Sequence, residues 1–83
     1  MSVWDDLNSA AQPRMDRMIE ATKEIIRETE YDMVYATLFP TSSPLIVITI
    51  RKCSDWDNFQ NFVFRYSVDI QTVRNVIKKR LSK

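Results

Sequence analysis

A chain of 83 residues is long enough for one domain, near the size at which a single hydrophobic core is marginal. Apolar residues make up 45%, which excludes a disordered chain. Histidine is absent and Cys53 is the only cysteine, which excludes a disulfide framework and a Cys/His zinc site.

Glycine is also absent, so turns must rely on Pro, Ser, Asn and Asp. The net charge of +1 is unevenly spread. Residues 1–40 carry four Lys/Arg against eight Asp/Glu, and residues 41–83 carry eight against three. An acidic first half and a basic tail invite a nucleic acid, self-association head to tail, or simply two solvated faces.

The lone cysteine suits a reducing, intracellular setting, so a cytoplasmic location is expected. Asp5 and Asp6 stand where a signal peptide would need apolar residues. No apolar run is long enough to span a bilayer, and no membrane partner is expected.

Over residues 1–12 a short N-terminal segment or helix is expected, capped by Asp5 with Trp4 and Leu7 on one side. A helix over 13–30 follows, with Pro13 in its first turn, where a missing amide costs nothing. Met15, Met18, Ile19, Thr22, Ile25 and Ile26 form its apolar stripe. Asp16, Glu20, Glu24 and Glu28 line its outer side four apart, a solvated acidic ridge that could also meet a basic partner.

Residues 31–39 and 45–52 read as a β-hairpin around the turn chemistry of Pro40-Thr-Ser-Ser-Pro44. Tyr31, Met33, Tyr35, Thr37 and Phe39 share one side of the first strand; Val34, Ala36 and Leu38 share the other. Leu45 to Ile50 is β-branched and strongly strand-forming. Such a hairpin is apolar on both sides, and two helices can cover only one of them. Pairing with another copy, most simply as a dimer, is the expected remedy.

From Ser54 onward the pattern predicts a helix over 55–82. Ser54 and Asp57 have capping-box spacing, and Lys78, Lys79, Arg80 and Lys83 suit the negative end of the dipole. Trp56, Phe59, Val63, Tyr66, Ile70, Val73, Ile77 and Leu81 form a stripe at three- and four-residue steps. Phe62 and Val76 widen it, and Phe64 falls outside it.

Within this stretch Tyr66, Val68, Thr72, Val73 and Arg74 match a run that resembles the helix-turn-helix of GntR-type winged-helix regulators. The resemblance covers residues 62–77, with Ser67 where that family has Gly and Val63 where it has a small residue. It implies a break near 67–69, Asp69 as the second helix's N-cap, and Ile70, Gln71, Arg74 and Asn75 facing a major groove, with Lys78 and Lys79 near phosphates.

The expected architecture is thus α+β, a single helix–β-hairpin–helix (α-β-β-α) domain completed by homo-oligomerisation. There is no His, no Gly-rich phosphate loop and no nucleophile elbow, and no base stands ready to activate Cys53. An enzyme is not expected, nor a cofactor or metal. A non-enzymatic protein-interaction module of adaptor or inhibitor type, viral or phage sources included, fits best, with Trp4, Tyr35, Trp56 and Phe64 as aromatic anchors for a larger protein target. The alternative is a nucleic-acid-binding regulator that uses Gln71, Arg74, Asn75, Lys78, Lys79, Arg80 and Lys83.

Overall fold

A computed structural model describes the backbone of residues 3–82 and the side chains of residues 10–82. The order of elements is helix α1 (Val3–Ile26), strands β1 (Met33–Phe39), β2 (Leu45–Lys52) and β3 (Asp55–Arg65), and helix α2 (Ile70–Leu81). The three strands form one antiparallel meander in the order β1-β2-β3. The domain is α+β as expected, but it is α-β-β-β-α, with one more strand than the hairpin.

That third strand corrects the long C-terminal helix. Residues 55–65 also alternate with a period of two, and the strand uses that alternation. Phe62 and Phe64 turn inward and are buried, while Phe59, Asn61, Val63 and Arg65 turn outward and are exposed. A helix over 55–65 would leave Phe64 off the apolar stripe. As a strand the segment buries it and gives β2 a second hydrogen-bonded neighbour, so that β2 is central. Ser54, expected to cap the helix, instead forms with Cys53 the turn between β2 and β3.

The first helix also starts earlier than 13. It runs from Val3 through Pro13, which lies inside the helix with an exposed ring. Proline removes one helical hydrogen bond there. The buried stripe of Ala11, Met15, Met18, Thr22 and Ile26 compensates by anchoring the turns on both sides of Pro13. The helix ends at Ile26 rather than 30, where the hydroxyl and amide of Thr29 both donate to the Ile26 carbonyl (2.7 and 2.9 Å).

Both helices lie against one face of the sheet, and the core forms there. Ile46, Ile48 and Ile50 of β2 are fully buried, together with Met18 of α1 and Val73 and Ile77 of α2. Fully burying one such aliphatic side chain favours folding by about 1.5–3 kcal/mol before entropy is counted. Arg14 of α1 fastens the connection between β3 and α2. Its Nη2 donates to the Val68 carbonyl, and its guanidinium lies over the Tyr66 ring at 5.7 Å.

The alternation of β3 is directly testable. Phe64→Ala should lower stability by about 3–5 kcal/mol, the usual cost of emptying an aromatic core site. Val63→Ala, one residue away and facing out, should change it by less than about 0.5 kcal/mol. Urea unfolding of the two variants checks this; a helix over these residues would not separate them so sharply.

Candidate functional site

The opposite face of the sheet carries no helix. Strand register sets its rows: Met33, Arg51 and Phe59; Tyr35, Thr49 and Asn61; Thr37, Val47 and Val63; Phe39, Leu45 and Arg65. Tyr35, Phe39, Phe59 and Val63 are exposed, Val63 at 61%. These rows hold two arginines and no carboxylate. The Thr49 hydroxyl donates to Asn61 Oδ1 at 2.7 Å, and the Tyr35 hydroxyl donates to Met33 Sδ at 3.5 Å.

Trp56 joins this face through an irregularity next to the β2–β3 turn. Two-residue hairpin turns favour positive φ, which glycine supplies most easily. This chain has no glycine, and no described residue has positive φ. Beyond the Cys53-Ser54 turn the register shifts: Lys52 pairs with Asp55, and Arg51 next pairs with Phe59. Residues 56–58 are left as extra chain.

The Arg51 guanidinium holds that extra chain in place. It donates through Nη1 to the Trp56 carbonyl and stacks against the rings of Trp56 (4.3 Å) and Phe59 (4.6 Å). From the β1 side, Asp32 Oδ1 accepts the Cys53 amide at 2.8 Å. The result is a cation held between two aromatic rings at one end of an apolar surface, with Trp56 57% exposed.

Of the anchors expected from sequence, Tyr35 and Trp56 lie on this face. The side chain of Trp4 lies outside the described residues. Phe64 is corrected: it is 6% exposed and packs in the core, because its position on β3 points toward the helices. Phe39, Phe59, Val63 and Arg51 also lie on this face and are not among the anchors expected from sequence. The signal that could have found Phe59 and Val63 is the alternation from 59 to 65, which competes with the three-and-four spacing of a helix.

The C-terminal polar residues lie on α2. Asp69 is its N-cap, extended at φ −87° and ψ 159°, and its carboxylate accepts the Thr72 amide at 2.8 Å. The resemblance implies a helix ahead of this turn, where the structure has β3. Arg74 pairs with Glu24 of α1 at 3.3 Å. Gln71 Nε2 donates to Asn75 Oδ1 at 3.0 Å. Arg80 lies over the Phe62 ring at 5.2 Å, while Lys78 and Lys79 are exposed. Lys83 lies outside the described residues.

An open hollow of about 350 Å³ lies between the α1–β1 connection, β3 and the end of α2, lined by Glu28, Glu30, Tyr31, Gln60, Arg80 and Leu81. Two of its polar side chains, Tyr31 and Gln60, are hydrogen-bonded within the domain. The Tyr31 hydroxyl accepts from Gln60 Nε2 at 2.9 Å and donates to Asn58 Oδ1 at 3.3 Å. Among the described residues no cluster of three His, Cys, Asp or Glu could hold a metal ion, and no helix is long and apolar enough to cross a membrane. Comparison with family models, curated proteins and solved structures gives no match for this chain.

Two outcomes follow from this geometry. In a Trp4→Phe background, Arg51→Ala should cost about 1 kcal/mol of stability, in line with an exposed cation–π contact plus a charged hydrogen bond. It should also raise acrylamide quenching of Trp56 fluorescence as the indole loses its partner.

The second concerns Asp69. Its carboxyl is held below the usual carboxylate range, first by its bond with the Thr72 side chain and then by the Thr72 amide. A lowered folded-state pKa means that the cap stabilises fully above the ordinary carboxylate pKa and weakens as pH falls through the lowered value. Thermal unfolding should therefore show Asp69→Ala less stable than the parent at neutral pH, with the two converging in acid.

Proposed function

We propose that this chain is a small non-enzymatic interaction module that docks a larger protein on the open face of its sheet. The observation that carries this is the collection of Tyr35, Phe39, Trp56, Phe59 and Val63, all exposed, on the one sheet face that the helices leave bare. With about 4.8 Å between strands and about 3.3 Å per residue, three strands of this length present a footprint of roughly 300 Å². Exposed apolar side chains gathered on one such face commonly mark an interaction site.

The chemistry of the face favours a protein partner. Its most exposed ring, Trp56, already has a guanidinium against it, which is the arrangement of a binding hot spot rather than of a free platform for bases. A partner segment with an apolar centre and flanking carboxylates matches this surface, because Arg51 and Arg65 lie in its end rows and no row carries an acid. Tyr and Trp anchors offer large contact area at low entropic cost.

A second reading, nucleic-acid binding through α2, rests on the exposed Lys78 and Lys79 near its C-terminal end. Basic residues there also answer the helix dipole, and Arg74, Gln71 and Asn75 are engaged within the domain.

The test is selection of displayed random peptides on the purified protein, with a Tyr35→Ser/Trp56→Ser/Phe59→Ser variant as counter-target. The expected peptides carry an apolar centre flanked by Asp or Glu, bind the parent at least tenfold more tightly than the variant, and shift the amide resonances of the open face. Peptides that bind both proteins alike would overturn the proposal. In parallel, salt-sensitive anisotropy on duplex DNA that is lost in Lys78→Ala/Lys79→Ala would favour the second reading.

A further inference from the structure

The sheet has two edges, and they differ in how they are guarded. Strand β3 carries Asp55, Asp57 and Arg65, and its register shift interrupts the ladder near one end. Its inward Phe62 is buried, with the Arg80 guanidinium over the ring. Charges, bulges and covering side chains are the usual means of keeping an edge from pairing.

Strand β1 has none of these. It reads Met-Val-Tyr-Ala-Thr-Leu-Phe, seven residues with no charge, no proline and an unbroken register against β2. Two of its three inward side chains also mark the edge as open. Leu38 is buried, but Val34 and Ala36 are only half-buried, although their partners on β2, Ile50 and Ile48, are fully buried.

We propose that two copies of this chain pair antiparallel along the free edges of β1, about a two-fold axis at Ala36, to give one six-stranded sheet. The occupant is a second copy because the strand is complementary to itself in this register. Met33 falls opposite Phe39 of the partner subunit, a sulfur–aromatic contact. Tyr35 falls opposite Thr37 of the partner subunit, an aromatic against a β-branched residue. On the inner side Val34 meets Leu38 of the partner subunit, and the two Ala36 residues meet on the axis.

All seven residues pair in this register. A shift by one residue would set outward side chains against inward ones, and a shift by two would leave strand ends unpaired. A two-fold interface of this kind closes on itself and leaves only the guarded β3 edges outside. It also covers Val34 and Ala36 and makes the two open faces continuous. The pairing does not depend on the docking of any other protein.

Sedimentation at micromolar concentration should give the dimer mass for the parent. It should give the monomer mass for Tyr35→Lys/Thr37→Lys, which sets lysine against lysine across the seam while leaving each protomer's circular dichroism unchanged. To test the register, Cys53→Ser chains carrying Tyr35→Cys are mixed with Cys53→Ser chains carrying Thr37→Cys and oxidised. The mixture should give a disulfide-linked heterodimer in at least tenfold excess over either chain alone. A monomeric parent, a dimer that survives the double lysine variant, or equal cross-linking by Tyr35→Cys alone would each overturn the proposal.

Discussion

The structure depends on β2 being central. Ile46, Ile48 and Ile50 project from it to one side and are fully buried, and everything else is arranged to bury them. A strand can be central only if it has hydrogen-bonded neighbours on both sides. β1 provides one through the turn around Pro40–Pro44, and β3 provides the other through Cys53-Ser54. The helices then close the apolar face, α1 against β1 and α2. A domain this small has one core, and its stability is concentrated in these contacts.

Two helices over three strands cover one face. The other face is therefore bare by construction, and its composition is not that of an ordinary solvated face, which is mostly polar. Its aromatic content rises toward the β2–β3 turn, next to which the register shifts. The extra residues bring Trp56 over Arg51. The register shift next to this turn thus places the most exposed ring of the candidate surface.

The charged residues are distributed consistently with this division. The acidic side of α1 and the basic end of α2 face solvent on the helical layer, and one pair, Glu24 with Arg74, ties the two helices together. Exposed pairs of this kind contribute little to stability. The charge asymmetry along the sequence therefore becomes an ordinary helix–helix surface, and the open sheet face keeps two arginines at its two ends.

Sequence alone determined much of this. The α+β class, the hairpin and the sides of β1 follow from period-two alternation and β-branched density. The stripe of α1 from Met15 to Ile26 follows from helical spacing, whereas the cap at Asp69 enters only through the resemblance of residues 62–77 to a helix-turn-helix. Tyr35 is legible as an exposed aromatic because a hairpin apolar on both sides leaves one of them bare, whereas Trp56 also fits the helical stripe and only the strand β3 exposes it.

What only the tertiary structure decided is the stretch from Asp55 to Arg65. Its apolar residues satisfy both a helical stripe and a strand alternation, and local pattern gives the two nearly equal support. Phe64 breaks the tie, but only because β2 lies beside it. A strand there completes the ladder of a neighbour that would otherwise have a bare edge, and it buries Phe62 and Phe64 over the same core. That gain is non-local, so no local window contains it, and with it went the identity of the face on which Phe59 and Val63 are exposed.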